Sequence, residues 1–421
     1  MLSYKFPLLS ICLLAVALVA GATPAPVCAS IVYVKAGPEP GTENGESWPT
    51  AWNTLQEGIA HANDYDILWV AKGTYKAGSS YGDSFVFEGA PPYPQTPKRL
   101  QLYGGLAGTE TTQEFNPPYV DHRDFLVNES ILSGDLDGTS HSQIIVSFTD
   151  VNADWRLDGF TLTRCRSHAG NEGHAIKCMN SRPQLYNLLI RYNTSSNVGA
   201  GLYIDGALTL PTDITACTFR ENTASGSGGA VWCGDGLPQF TDCLFYANES
   251  NASGGAVFSS GNPKFSGCTF TANGAWGNYA GAIRALHLDL RDCTFESNLA
   301  QTGGGAVACD YGGTVLIVKS RFSNNAAVEG VGGGLLFEGA SVRLLDCEVI
   351  ANSAVGDGGG VYVWEIENDH GIEMTNCLIA RNRTNAGGGG VYYKYDHPTI
   401  EPISKFINCT IADNQAFPPN G

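Results

Sequence analysis

Cys217-Thr-Phe219-Arg-Glu-Asn222 decides how this chain is read, because the pattern returns rung after rung. It recurs as Cys243-Leu-Phe245-Tyr-Ala-Asn248, Cys268-Thr-Phe270-Thr-Ala-Asn273 and Cys293-Thr-Phe295-Glu-Ser-Asn298. Ser320-Arg-Phe322-Ser-Asn-Asn325 and Cys347-Glu-Val349-Ile-Ala-Asn352 follow, then Cys377-Leu-Ile379-Ala-Arg-Asn382 and Cys409-Thr-Ile411-Ala-Asp-Asn414. From Asn193 onward the interval is 25 to 32 residues. Glycine-rich openings lie between the units: Gly228-Gly229-Ala230-Val231, Gly254-Gly255-Ala256-Val257, Gly304-Gly305-Ala306-Val307, Gly333-Gly334, Gly359-Gly360 and Gly389-Gly390. Self-similarity at such a period marks a stack of short supersecondary units.

In a strand, Cys217 and Phe219 share one face and Thr218 takes the other. The Cys and Phe/Ile columns therefore face inward, each on its counterpart one rung away, and the fold expected is an all-β parallel β-helix with three short strands per rung. The Asn closing each strand sits at a turn, where its amide can bond turn backbone and the Asn of the next rung; each bond contributes about 1 kcal/mol net. Glycine supplies positive φ and close backbone approach at the next corner. Asn193 and Asn248 head Asn-x-Ser/Thr sequences, but the ladder accounts for them without glycosylation.

The chain holds 13 Cys, which in an exported protein suggests disulfides. The inward column argues for buried free thiols, because in-register neighbours lie about 4.8 Å apart, beyond the usual disulfide Cβ spacing.

Residues 1–29 read as a signal peptide: Met1 to Lys5 is a basic start, Phe6 to Ala22 is apolar, and small residues follow at Ala20-Gly21-Ala22 and Val27-Cys28-Ala29. Secretion or display at the cell surface is expected, with no membrane-spanning segment after cleavage. Residues 30–128 read as a cap and first rungs with long loops. Ile31-Val-Tyr-Val34 and Ile67-Leu-Trp-Val70 are strands, and Thr54-Leu-Gln-Glu57 is a capping box for a helix that would plug the open end. The Pro-rich stretch Gly82 to Asn128 reads as loops. Residues 129–421 are the repeats, with no cap visible after Asn414. Lys plus Arg number 24 against 41 Asp plus Glu, a net charge of −17, so nucleic acid is excluded as a partner. The same sign repels a polyuronate unless calcium bridges the two.

The Gly-Gly-Ala-Val openings and Phe-x-x-Asn closings resemble the repeats of polymorphic outer membrane proteins. The wider chain resembles the pectin-lyase-like superfamily of right-handed parallel β-helix proteins. The segments that carry this second likeness are Ile67-Leu-Trp-Val-Ala-Lys-Gly-Thr-Tyr75, Tyr103-Gly-Gly-Leu-Ala-Gly-Thr-Glu110, Ile131-Leu-Ser-Gly-Asp135 and Leu157-Asp-Gly-Phe-Thr-Leu162. The resemblance implies the fold but spans lyases, hydrolases and adhesins. A C-terminal translocator barrel, which the polymorphic outer membrane proteins carry, is absent from this sequence.

A β-eliminating lyase needs a neutralised uronate carboxylate and an Arg or Lys base; a polygalacturonase-type hydrolase needs paired carboxylates. Neither family signature is present, and Arg182-Pro183 is an isolated fragment. After each glycine opening one column reads Lys177, Ile204, Trp232, Phe258, Arg284, Ala308, Phe337, Val363, Tyr393. If the preceding column points inward, Trp232, Phe258, Phe337 and Tyr393 form an outward platform for stacking on sugar rings. The catalytic candidates along these strands are Arg284, Asp310, Glu338, Glu365 and Lys394, with Glu367, Asp369 and His370 on a longer loop. Asp150, Asn152 and Asp154 alternate oxygen ligands as a calcium loop does, which makes calcium a candidate ion, although a plain turn explains them as well. His174 and His287 have no evident partner. A glycan- or surface-binding, adhesin-like solenoid is the leading expectation; the alternatives are a polysaccharide lyase or glycoside hydrolase and a structural spacer.

Overall fold

The computed structural model describes residues 29–37, 43–89, 98–111, 123–167, 172–206, 210–365, 371–395 and 404–417. Residues 1–28, which fall within the expected signal peptide, and the loop residues Glu367, Asp369 and His370 lie outside these.

The chain winds as a solenoid whose strands pair in parallel with their counterparts one turn away. A single rung runs Pro238–Thr241, Leu244–Tyr246, Glu249–Ser250 and Val257–Ser259. These positions stack, among the described residues, into a first sheet of 13 strands, a second of 12, a third of nine and a fourth of 11. The expected three strands per rung are present, and the two-residue third ladder adds a fourth that is too short to show in a hydropathy pattern.

Inside, the columns stand as the repeat predicts. Phe219, Phe245, Phe270, Phe295 and Phe322 stack face to face with centroids 4.9, 4.5, 4.6 and 4.7 Å apart. Among the described residues the cysteines are free and all but Cys409 are buried. Cys243 donates to the Thr241 carbonyl at 3.4 Å. Ser320, which breaks the Cys column, donates to the equivalent Val318 carbonyl at 3.0 Å, so a hydroxyl keeps the thiol's partner.

Asn193, Asn222, Asn248, Asn273, Asn298, Asn325, Asn352 and Asn382 form a buried ladder. Asn298 Nδ2 donates to Asn325 Oδ1 and to the Phe270 carbonyl, both at 2.9 Å. Its Oδ1 accepts from the Asn273 backbone N–H at 3.0 Å and from Asn273 Nδ2 at 2.9 Å. In most rungs two corners use left-handed backbone at residues other than glycine, such as Asp242 (φ 53°) and Ala247 (φ 51°), while Gly267 takes the first corner of one rung. Each costs on the order of 1 kcal/mol. Each is held by a cross-rung bond: Asp242 N–H donates to Ser266 O at 2.9 Å and Ala247 N–H to Thr271 O at 3.0 Å.

At the N-terminal end the helix Leu55–His61 begins with the full Thr54/Glu57 capping box, and Leu55 is buried in the core with Val34 and Leu68. The stretch Gly82 to Asn128 is not all loop: Phe85–Glu88 and Gln101–Leu106 are strands of the fourth and first sheets. Phe85 and Phe87 alternate inward, a pattern that the surrounding prolines hide.

Asn298→Ala removes the partner of two Asn273 donors and of the Phe270 carbonyl inside the coil, while Asn325 Oδ1 keeps the residue-298 backbone N–H, so a loss of about 3 kcal/mol is expected. Urea unfolding measures it; a loss below about 0.5 kcal/mol would show that the ladder does not hold the rungs.

Candidate functional site

The side chains that the coil leaves outside are also columnar, and the outer face of the fourth sheet carries the chemistry. Strand pairing sets its central column as Lys177, Tyr203, Trp232, Phe258, Arg284, Ala308, Leu336, Tyr362 and Tyr392. Trp232 and Phe258 stand in it half-buried, as the spacing predicts. Phe337 and Tyr393 do not: Phe337 is fully buried in the core and Tyr393 packs against that core. Ile204 and Val363 are likewise interior. The slip has a definite cause. The opening is three residues long, and its last position is Ala230, Ala256 and Ala306 in some rungs but Gly334, Gly360 and Gly390 in others. Aligning the final glycine pair therefore shifts those later rungs by one residue and turns every side chain over.

Along this face Tyr203 stacks on Trp232 (4.7 Å, 15°) and Tyr362 on Tyr392 (5.5 Å, 10°). Ala280, Ala308, Leu336 and Tyr362 form a small apolar cluster outside the coil, with Tyr279, Val331, Trp364 and Tyr392 against it.

Three of the five catalytic candidates meet at the centre of the strip. Arg284 clamps Asp310 with Nε at 3.1 and 3.2 Å and Nη2 at 3.0 Å, and its Nη1 donates to Ser253 Oγ at 2.9 Å. The guanidinium also lies 5.1 Å from the Tyr279 ring centroid. Glu338, one rung beyond Asp310, has its carboxyl raised above the ordinary range by burial and by the Asp310 charge, with Arg284 acting the other way. Lys394 stands apart, its ammonium 4.5 Å from the Trp364 centroid. Glu365 ends the strand Val361–Glu365, and its side chain lies outside the described residues. The sequence gives no sign of Ser253 and Tyr279, which arrive from corner segments outside the strand pattern.

At the N-terminal end of the strip, Lys177 bonds Glu172 at 2.5 Å. The His174 ring and Lys177 hold the Glu172 carboxyl down at about 2. His174 is buried with Nδ1 on the Gly199 carbonyl at 2.9 Å. Burial, with the neighbouring Asp205 and Glu172 charges, pushes the Tyr203 hydroxyl up to about 12.

The outer face of the first sheet bears a groove of about 640 Å³ whose lining includes Leu237, Asn262, Lys264, His287, Asp289 and Leu316. His287 Nδ1 accepts the Thr314 backbone N–H there at 3.1 Å. Asp150, Asn152 and Asp154 form a turn in which Asn152 and Asp154 bond each other at 3.0 Å. Among the described residues no group of three or more His, Cys, Asp or Glu is placed to hold a metal ion.

Residues 183–342 match the family model described as a right handed beta helix region. In fold the chain is a right-handed parallel β-helix. A crystal structure of pectate lyase Pel9A aligns over 88% of this chain and 80% of its own, at 12% identity and a TM-score of 0.46. No curated protein matches the chain. No helix among the described residues of this β-helix protein is long and apolar enough to cross a membrane.

A raised acid adds stability below its unfolded pKa and loses it as pH rises through the higher folded value. Glu338→Gln, fixed neutral, is therefore expected to gain in melting temperature over the parent as pH is taken from about 4 to about 7. Equal pH dependence in the two proteins would place Glu338 in open solvent.

Proposed function

We propose that the outer face of the fourth sheet binds a glycan, and that this β-helix protein works outside the cytoplasm, secreted or at the cell surface. The observation that carries the reading is the row of half-buried rings, Tyr203 on Trp232 and then Phe258, on a face whose strands are locked in register. Tyr203 and Trp232 are stacked on each other, so they present ring edges at a fixed rise of about 4.8 Å, an apolar ridge against which the face of a sugar ring packs without rearrangement and with little ordering cost on binding. Eight rungs from Tyr203 to Tyr392 extend the strip over about 34 Å, room for an extended chain. Export draws its support from the N-terminal sequence alone.

A second reading, a glycan-cleaving enzyme, draws on the meeting of Arg284, Asp310 and Glu338. Two carboxyls on neighbouring rungs, one of them raised and so able to donate a proton, are the raw material of glycoside hydrolysis. Arg284 is spent on Asp310 and Ser253, which argues against its use as a lyase base.

Trp232→Ala is expected to weaken glycan binding about tenfold or more, equivalent to about 1.4 kcal/mol. Trp276→Ala, an exposed position next to the third-sheet strand Gly274–Ala275, should leave it unchanged. Affinity that is indifferent to Trp232 removes this strip as the site. New reducing ends in the same incubations, lost in Glu338→Gln, would establish the enzymatic reading.

A further inference from the structure

We infer that the strip takes neutral glycans and turns away polyuronates, an inference that rests on the glycan-binding reading above. The described cations of the strip are already engaged. Lys177 is bonded to Glu172. Arg284, whose planar fork is the natural reader of a sugar carboxylate, already holds Asp310 with two of its nitrogens and Ser253 with the third. Lys394 lies over the Trp364 ring.

Facing these three cations are four acids, Glu172, Asp205, Asp310 and Glu338, on a chain whose net charge is −17. A polyuronate brings one carboxylate per ring. Seating it here would place each charge beside acids, with every described cation of the strip already engaged. That desolvation is not repaid, and the like charges repel. Calcium could reverse the sign, but among the described residues no cluster of acids and imidazoles is placed to hold a metal. A neutral sugar asks for something else: an apolar ring face to cover and a few hydrogen-bond partners at its rim. The half-buried rings of Tyr203, Trp232, Phe258 and Tyr392 supply the first. The Tyr203 hydroxyl and the Asp205 carboxylate, 3.3 Å apart at the rim, supply the second.

Asp310 is thus a specificity device: it occupies the one guanidinium that would otherwise read a uronate. Titration calorimetry of the purified chain with neutral cello-, xylo- and manno-oligosaccharides and with oligogalacturonate, with and without calcium, tests this. At least one neutral series is expected to bind about tenfold or more tighter than oligogalacturonate, with no gain from calcium. Oligogalacturonate binding as tightly as the neutral sugars, or tighter, overturns the inference and leaves the glycan-binding reading standing. Binding of no sugar at all overturns the glycan-binding reading itself.

Asp310→Ala, and Asp310→Asn as a milder variant should the first fail to fold, frees Arg284. Each is expected to raise oligogalacturonate affinity about fivefold at low salt, an effect that screening by added salt abolishes. Unchanged affinity in a folded variant shows that the ion pair does not set the selectivity.

Discussion

The described strands of this coil pair their backbone with the rung above and below, and that requirement fixes neighbouring rungs at about 4.8 Å with residues in register. Like must then stand on like. Phe219 to Phe322 can stack only because each ring finds another at the same height. The asparagines work the same way, each amide bonding the amide of the next rung and the backbone of the previous one. Ser320 passes in the Cys column because it reproduces the one hydrogen bond that the column needs.

The same constraint spreads to the outside. Because the inner columns are locked, the outer ones are ruled lines, and substitutions along a line change chemistry without changing spacing. The fourth sheet uses this freedom: rings at Tyr203, Trp232 and Phe258, then the ion pair of Arg284 and Asp310, then aromatic and apolar groups again at Leu336, Tyr362 and Tyr392. The ion pair sits where it is partly screened, so its contribution to stability is modest, of the order of 1 kcal/mol. Its larger consequence is to cancel two charges in the middle of an otherwise aromatic strip.

The interior was legible because Cys, Phe and Asn repeat at fixed offsets from one another, with nothing inserted between them. The outer column was legible only in part. Trp232, Phe258 and Arg284 follow openings that end in alanine, and they were placed in their column; Phe337 and Tyr393 follow openings that end in glycine and were displaced by one. The left-handed corners at Asp242, Ala247 and their equivalents have no residue type in common, since cross-rung bonds hold them whatever the side chain. Arg284, Asp310 and Glu338 were each visible as strand-end charges. Their convergence depends on register, and their partners Ser253 and Tyr279 come from corners whose course a strand pattern does not describe.

Hydroxyl-radical footprinting with a saturating neutral oligosaccharide tests most directly whether the fourth sheet is the face that meets a ligand. Protection is predicted at Tyr203, Trp232 and Phe258, with Trp276, which follows the third-sheet strand Gly274–Ala275, and His287 in the first-sheet groove unchanged. Protection at His287 and Leu237 with Trp232 still fully reactive would contradict it and move the binding face to the first sheet.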